Sequence, residues 1–236
     1  MSIAFFDVDG TLMPHPSLER RLFWRLARCA RIPAGNYFAF LAAAARFGPR
    51  GAHRNKAYLR GLAPGVLAET GVELPEFFPA ALERVCWHAV RGHAVVLVTG
   101  TPAPLAALVQ AALERELTWR GIRSEVHALA TTLETAVDRW TGRVAGPPMF
   151  GEEKALAVAR FARARGADLR SASAYGNHFL DRWMLAAVGR PCAVNPSAAL
   201  ARLAGLHGWP VLDWDPRRKR VAPAGNALAW KDKEAR

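Results

Sequence analysis

FFDVDGTL, residues 5–12, is the stretch around which this 236-residue chain is organised. The apolar run Ile3–Phe6 predicts a short buried strand that ends abruptly in two carboxylates. Two aspartates this close repel each other unless a cation or hydrogen bonds hold them. A strand that delivers Asp7 and Asp9 to its carboxyl end places them where open α/β sheets bind ligands. The pattern favours Asp7 as a nucleophile and Asp9 as a general acid and base, with an ordinary turn as the alternative because Asp, Gly and Thr also favour turns.

Strands and helices alternate from residue 94 onward. The valine-rich run 94–98 predicts a buried parallel strand, and the helix after it carries proline in its first turn. Further strands are predicted at 125–129, 172–175, 191–195 and 211–212, and helices at 103–116, 152–165, 179–187 and 197–207. This alternation predicts an α/β fold with a doubly wound, Rossmann-like parallel sheet.

A helical pattern interrupts that alternation after the first strand. It includes an arginine-rich helix from residue 17 and an apolar helix over 36–47 that Gly48-Pro49 should end. We expect this segment to be an all-helical cap, inserted over the carboxyl-terminal edge of the sheet. The predicted domains are a core of residues 1–13 and 92–214, a cap of residues 14–91 and a basic tail of residues 215–236.

Polar groups also follow the later strands of the predicted sheet. The Thr99 hydroxyl and the Gly100 N–H can bind a phosphate oxygen, and the start of the next helix adds anion affinity. Lys154 begins another helix, where it can neutralise both a nucleophile and a phosphoryl group. Asn177 and Asp181 lie four residues apart across a turn. These groups, with the two aspartates, predict a phosphate and metal site at one edge of the sheet.

With these residues the sequence resembles the haloacid dehalogenase superfamily of phosphatases, specifically the phosphoserine-phosphatase-like branch with an inserted helical cap. The resemblance covers the whole predicted core. Its four short motifs occur in the family's order, which makes the match specific. The matching residues are Asp7-Val8-Asp9-Gly10-Thr11, Thr99, Lys154, and Gly176-Asn177 with Asp181.

The resemblance implies magnesium-dependent hydrolysis of a phosphomonoester. Asp7 would attack phosphorus and form an aspartyl-phosphate. Asp9 would protonate the leaving alkoxide and then deprotonate the attacking water. Thr99, Gly100 and Lys154 would hold the phosphoryl oxygens.

The resemblance also implies the ligands of Mg²⁺. They would be a carboxylate oxygen of Asp7, the backbone carbonyl of Asp9 and the first residue of the fourth motif. That residue is Asn177, where the family usually has aspartate. Asparagine brings a carbonyl oxygen but no charge, so metal affinity should fall unless Asp181 compensates. His178 is also unusual, and it either adjusts the site or simply packs or faces solvent.

The net charge of +12 is unevenly distributed. Residues 17–60 contain ten Lys and Arg and one acidic residue, and residues 217–236 contain seven basic and two acidic residues. Such charge attracts phosphates, nucleic acid or anionic lipid surfaces. Two interpretations of the first two helices follow. Either their apolar faces pack together and the arginines face solvent, or the helices present a membrane-interfacial patch. The patch would place Phe23, Trp24, Tyr37, Phe38 and Phe40 near lipid and Arg20, Arg21, Arg25, Arg28 and Arg31 near head groups.

The expected substrate is a small phosphorylated metabolite, or a lysophospholipid or phospholipid head-group phosphate. Arg54 and Lys56 either hold a substrate anion or form a solvated helix face. The alternative function is a weak or inactive protein that binds phosphorylated ligands, anionic membrane or nucleic acid through its basic regions. Nucleic acid is not expected, because no zinc site, helix-turn-helix or RNA-binding aromatic motif accompanies the charge.

The sequence shows neither a signal-peptide pattern nor an apolar run near the ~20 residues that span a bilayer. We therefore expect a cytoplasmic protein. Contact with the inner face of the membrane remains an open alternative because of the basic, amphipathic helices.

Overall fold

The structure is a computed structural model that describes residues 2–52 and 55–218, with the side chains of 47–52 outside that description. The strands are β1 (Ile3–Phe6), β2 (Ala94–Pro102), β3 (Val126–Thr131), β4 (Leu133–Ala136), β5 (Arg139–Val144), β6 (Ser173–Gly176), β7 (Arg190–Val194) and β8 (Val211–Leu212). The helices are α1 (Leu18–Arg28), α2 (Ala34–Ala52), α3 (Val66–Thr70), α4 (Pro79–Val90), α5 (Ala103–Trp119), α6 (Glu152–Ala164), α7 (Arg182–Ala186) and α8 (Ala198–His207).

Six strands form one parallel sheet in the order β3-β2-β1-β6-β7-β8. The first strand therefore lies at the centre, with β2 on one side and β6 on the other. The carboxyl ends of these three strands meet at one edge of the sheet, which is where parallel sheets bind ligands. The predicted α/β fold with a doubly wound parallel sheet is confirmed.

Alternate residues of β1 belong to opposite layers of the core. Ile3 and Phe5 join the cluster that contains the buried residues of α6, α7 and α8. Ala4 and Phe6 join the cluster that contains those of α1, α4 and α5. All four residues are buried, which explains why the strand reads as a continuous apolar run and not as an alternating one.

The chain between β1 and β2 forms α1 to α4. The predicted end of the second helix is wrong, because α2 continues through Gly48 and Pro49 as far as Ala52. Proline fixes φ near the helical value, so a helix that gives up one hydrogen bond can accommodate it. The last helix, α4, packs on the sheet, and His88 lies 2.8 Å from the Tyr175 hydroxyl of β6. The division of the chain into a core and a cap stays a prediction.

A two-stranded antiparallel hairpin, β4 with β5, joins this helical segment to the rest of the chain. The Trp140 N–H donates to the carbonyl of Leu62 at 2.9 Å, and the Gly61 N–H donates to the carbonyl of Trp140 at 2.8 Å. The Trp140 side chain is buried. The hairpin therefore fixes the segment that follows α2 relative to the sheet.

The carboxyl-terminal part of the chain is described only as far as Arg218, whose guanidinium donates to the carbonyl of Pro196 at 2.8 Å. The rest of the predicted basic tail, residues 219–236, lies outside the described residues. Within the described ranges, no helix combines the length and the apolar composition needed to cross a membrane.

Candidate active site

The carboxyl ends of β1, β2 and β6 open on a cavity of about 290 Å³. The seven residues predicted from the sequence to form the site all line it. They are Asp7, Asp9, Thr99, Gly100, Lys154, Asn177 and Asp181. The cavity is completed by His15, Ser17, Glu19, Thr101, Phe150, His178 and Leu180.

Asp7 directly follows β1 and is almost fully buried. Its carboxylate accepts hydrogen bonds from Lys154 Nζ at 2.6 Å and from the Thr11 hydroxyl at 2.9 Å. Burial raises the pKa of Asp7 to about 7 against the opposing effect of Lys154, and the negative charge of Asp181 adds to the rise. A further cation beside Asp7 would therefore favour its ionised form.

Lys154 lies in the first turn of α6 and is only 3% exposed. Its ammonium donates to Oδ1 of Asp7 and to Oδ1 of Asp181, both at 2.6 Å. Burial alone would lower the pKa of Lys154, but the carboxylates of Asp181 and Asp7 raise it above its ordinary value. The side chain is therefore charged, and it lies between two carboxylates.

The second oxygen of Asp181 fixes the turn after β6. It accepts hydrogen bonds from the backbone N–H groups of Asn177 at 3.1 Å and His178 at 2.8 Å. His178 lines the cavity and also caps this turn, because its Nδ1 accepts from the Leu180 N–H at 3.2 Å. Both oxygens of Asp181 are thus engaged, one with Lys154 and the other with the turn.

Asp9 is oriented by donors from two different elements. Its Oδ1 accepts from the Leu18 N–H at 2.9 Å at the start of α1, and its Oδ2 accepts from the Thr101 hydroxyl at 2.8 Å. Sequence reasoning missed Thr101. The available signal was its place two residues after Thr99, because residues i and i+2 of a strand lie on the same face.

The end of β2 lies tightly against Phe150. A Cβ atom at Gly100 would lie 1.9 Å from the Phe150 ring, so only glycine fits at this position. Thr99 is buried, and its Oγ1 accepts from the Thr101 N–H at 3.1 Å. A hydroxyl that accepts one hydrogen bond can still donate another, so Thr99 can donate to an oxygen of a ligand in the cavity.

Asn177 lies against the loop that follows Asp9. A Cβ atom at Gly10 would lie 2.0 Å from Asn177 Nδ2, and Gly10 also has a φ of +86°, so glycine is required on both grounds. Asn195 holds the same loop, because its Nδ2 donates to the carbonyl of Gly10 at 2.9 Å. Sequence reasoning missed Asn195, since its partner lies 185 positions away and no local pattern links the two.

Glu19, on α1, lines the cavity from the helical segment. Its Oε1 accepts from Lys56 Nζ at 2.5 Å and from the Tyr58 hydroxyl at 3.1 Å. Both partners are buried, and burial together with Glu19 raises the pKa of Tyr58 well above its ordinary value. Lys56 is therefore the partner of Glu19 and not part of a solvated face, whereas Arg54 lies outside the described residues. Sequence reasoning missed Glu19, which the fold of the helical segment brings to the cavity.

Comparison with known proteins decides the family. A family model described as haloacid dehalogenase-like hydrolase matches residues 4–186. The chain belongs to this family. A relative named phosphoserine phosphatase SerB1, from Mycobacterium tuberculosis, is 33% identical over 253 aligned positions, which cover 96% of this chain and 78% of the relative.

Two solved structures superpose on most of this chain. A protein of unknown function from Bordetella pertussis superposes with a TM-score of 0.73 at 27% identity, covering 91% of this chain and 99% of its own. A phospho-aspartyl intermediate analogue of a phosphoserine phosphatase superposes with a TM-score of 0.58 at 18% identity, covering 91% and 93%. At 18% identity, the superposition on the phosphoserine phosphatase shows only that the two chains share a fold.

The oxygen groups around Asp7 fit the Mg²⁺ that this hydrolase family implies. Mg²⁺ prefers carboxylate, carbonyl and water oxygens. Asp7, Asp9 and Asn177 all line the cavity and offer a carboxylate, a backbone carbonyl and an amide oxygen, and a cation would offset the buried charge that raises the pKa of Asp7. Among the described residues, no group of three or more His, Cys, Asp and Glu side chains is placed to hold a metal. The set is therefore poor in charged ligands.

Proposed function

We propose that this protein is a magnesium-dependent phosphatase that hydrolyses a small phosphorylated metabolite through an aspartyl-phosphate on Asp7. The observation that carries the proposal is the buried pairing of Asp7 with Lys154 at the end of the central strand, inside the cavity. The name of the relative from Mycobacterium tuberculosis supports it, because that protein is called phosphoserine phosphatase SerB1.

The residues have distinct roles in the proposed reaction. A carboxylate oxygen of Asp7 attacks phosphorus, the bond to the ester oxygen breaks, and Asp9 gives its proton to the departing alkoxide. Asp9 then takes a proton from water, the water oxygen attacks phosphorus, and the bond to Asp7 breaks to release phosphate. Thr101 and the Leu18 N–H keep Asp9 oriented during both transfers.

The phosphoryl group meets donors from two elements. Thr99 and the Gly100 N–H approach its oxygens from the end of β2, and Lys154 approaches from α6. Donors that are already fixed stabilise developing charge without reorganisation. Mg²⁺, when held by Asp7, the Asp9 carbonyl and Asn177, supplies positive charge that keeps Asp7 ionised and offsets the charge of the phosphoryl oxygens.

We propose that Asp181 acts as a positioning residue for Lys154 and not as a metal ligand. One oxygen of Asp181 accepts from Lys154 Nζ at 2.6 Å and the other accepts from two backbone N–H groups of the turn after β6, so loss of this carboxylate would release the lysine that also contacts Asp7. With Asp181 in this role, Asn177 has no charged substitute among the proposed ligands. A lower affinity for Mg²⁺ than an aspartate would provide is the expected consequence.

The cavity volume of about 290 Å³ favours a small substrate. Glu19 lines the cavity, and its carboxylate is fixed by Lys56 and Tyr58. This carboxylate would contact the organic part of the substrate, beyond the phosphate. A phospholipid head-group phosphate is the second candidate, favoured by exposed apolar side chains on α1 and α2, and it would require the protein to meet a membrane surface.

The test is turnover of p-nitrophenyl phosphate with and without Mg²⁺, followed by a screen of phosphoserine, other phosphorylated metabolites and lysophosphatidate. We expect magnesium-dependent release of phosphate that Asp7→Asn abolishes. The matched control is Asp138→Asn, because Asp138 is exposed at a position with a φ of +57°, which asparagine also accepts. Absence of turnover with every metal would overturn the proposal.

Trapping the intermediate tests the covalent step separately. Acid quenching should leave a phosphoryl group on the wild-type protein that hydroxylamine removes. Asp9→Asn should accumulate this species from p-nitrophenyl phosphate, because nitrophenolate leaves without a proton whereas the attack of water still needs a base. Turnover without a trapped phosphoryl group in either protein would contradict a nucleophilic Asp7.

A further inference from the structure

The exposed face of α2 carries no polar side chain over three turns. Its exposed positions between Ala34 and Ala45 are Ala34, Gly35, Phe38, Leu41, Ala42 and Ala45. Phe38 is 73% exposed and Leu41 is 61% exposed. The exposed face of α6, in contrast, mixes Leu156 with Glu152, Arg160 and Arg163. Single exposed apolar residues are normal on a protein surface, but a continuous apolar helix face is not.

The neighbouring helix adds an exposed aromatic ring between two cations. Trp24 on α1 is 54% exposed, and Arg20 and Arg28 lie one turn before and one turn after it on the same side of the helix. Both arginines are exposed. A tryptophan flanked by arginines on one face is the pattern of helices that lie at a membrane–water interface.

The remaining aromatic residues and arginines of the predicted patch have other partners. Phe23 packs with Tyr37, Phe40 and Tyr58, and Phe40 also packs with Tyr58. All three patch aromatics lie against the hydrophobic core. Arg25 donates to the carbonyl of Thr70, Arg31 pairs with Glu69, and Arg21 donates to the carbonyl of Pro16. The structure thus divides the predicted patch into a packed inner layer and a smaller outer surface.

We propose that this outer surface, the α1–α2 face of Arg20, Trp24, Arg28, Phe38 and Leu41, docks on an anionic membrane surface. Its apolar side chains would enter the region between head groups and acyl chains, and the two arginines would contact the lipid phosphates. Each cation near an anionic leaflet adds to the attraction, and salt screens that attraction.

Charge favours a lipid surface over a second copy of this chain. Glu19 is the one acidic residue between Ser17 and Arg60, and it is paired with Lys56 at the cavity. A two-fold contact through the α1–α2 face would therefore bring arginines of one protomer toward arginines of the other without an acidic partner from these helices. An anionic membrane supplies the missing negative charge.

The α1–α2 face lies close to the candidate active site. Glu19 lines the cavity, and Trp24 lies five residues further along the same helix, or about 8 Å along its axis. Docking would therefore hold the cavity near the lipid head groups. The docking proposal is independent of whether the substrate is a lipid or a soluble metabolite.

The test is co-sedimentation of the whole 236-residue chain with vesicles, at low and at physiological salt. One set of vesicles contains phosphatidylcholine alone, and the other contains phosphatidylcholine with 30% phosphatidylglycerol. We expect binding to the anionic vesicles that weakens as salt rises. Trp24→Gln with Phe38→Gln and Leu41→Gln should weaken it at least tenfold, and Arg20→Gln with Arg28→Gln should weaken it and reduce its salt dependence. Trp119→Gln with Leu206→Gln, which removes exposed apolar residues of α5 and α8, should leave it unchanged.

Three results would overturn the docking proposal. The first is no binding to anionic vesicles at low salt. The second is unchanged binding by the triple variant, which would assign the affinity to the basic tail. The third is a dimer in light scattering that the triple variant dissociates, which would assign the face to a second copy. Turnover of p-nitrophenyl phosphate should stay at the wild-type level in every variant, so that loss of docking and loss of catalysis are read separately.

Discussion

Lys154 holds Asp7, which lies 147 positions earlier in the chain, through a 2.6 Å hydrogen bond from its ammonium to Oδ1. The same ammonium is held from the other side by Asp181 at 2.6 Å. One buried cation is therefore shared by two carboxylates, so the group carries a net negative charge. Burial, opposed by Lys154 and reinforced by Asp181, raises the pKa of Asp7 to about 7, and the excess of carboxylates makes the site receptive to a second cation.

Replacing Asp181 with asparagine tests whether it positions Lys154. Asp181→Asn removes the negative charge on one side of the ammonium and places an amide near it, so Lys154 should shift. We expect kcat for p-nitrophenyl phosphate to fall about 10–100-fold, as for other residues that orient a catalytic group. The Mg²⁺ concentration for half-maximal activity should stay unchanged. A large rise in that concentration would instead make Asp181 a metal ligand.

Alanine variants of two glycines with positive φ, Gly10 and Gly121, distinguish the effect of backbone strain from the effect of crowding Asn177. An alanine at Gly10 or at Gly121 is strained by about 1–2 kcal/mol, because φ is +86° and +70°. The Gly121 side is open, whereas the new Cβ at Gly10 would meet Asn177 and His15. Gly10→Ala should therefore lose most activity, while Gly121→Ala, which carries the backbone strain alone, should keep its activity despite a lower melting temperature. Equal activity in the two variants would contradict the role given to the Gly10 loop.

The sequence predicted the sheet and seven cavity residues because their signals are local. An apolar run that ends in a polar residue identifies both a strand and its carboxyl end, and parallel strands bring those ends together without further information. Thr99 and Asn177 therefore line the same cavity as Asp7, as expected. Lys154, which contacts Asp7, was predicted from its place at the start of a helix. Their roles in catalysis stay predictions.

The residues that were missed depend on contacts between distant parts of the chain. Glu19 reaches the cavity only because Asp9 accepts from the Leu18 N–H at the start of α1, and Lys56 becomes buried only because the helical segment folds back on Glu19. Asn195 supports Gly10 through a contact that no motif encodes. The helix end at Gly48-Pro49 was predicted from local rules, and the longer α2 overrode them.

His88 should make the folded protein sensitive to acid. It is 0% exposed, its ring contacts His93 and the Tyr175 hydroxyl, and its pKa is lowered to about 3 by burial and by nearby His93 and arginines. The unfolded chain protonates His88 near pH 6.5, so it binds more protons than the folded state between about pH 6.5 and 3. The free energy of unfolding should therefore fall with decreasing pH in this window.

The pH dependence of urea unfolding measures this contribution. His88 should account for up to about 1.4 kcal/mol per pH unit near pH 5. His88→Gln should lower stability at pH 7.5 but remove that part of the slope, whereas His207→Gln, at an exposed position in α8, should retain it. Parallel slopes in wild type and His88→Gln would show that the imidazole does not titrate differently in the two states.

The substitution of Asn177 by aspartate tests the metal site most directly. The backbone of residue 177 is held on both sides, because its N–H donates to Asp181 and its carbonyl accepts from the Ser197 N–H. Asn177→Asp should therefore change the charge of the side chain with little change in its position. A second charged ligand should lower the half-saturating Mg²⁺ concentration at least tenfold, equivalent to about 1.4 kcal/mol. It should also destabilise the metal-free protein, because a further carboxylate would crowd Asp7, so Mg²⁺ should raise the melting temperature more in this variant than in wild type. Asn177→Ala removes the oxygen and should shift the Mg²⁺ requirement in the opposite direction. If neither variant changes that requirement, Asn177 lies outside the coordination sphere, and the cation must be held by Asp7 and Asp9 with water.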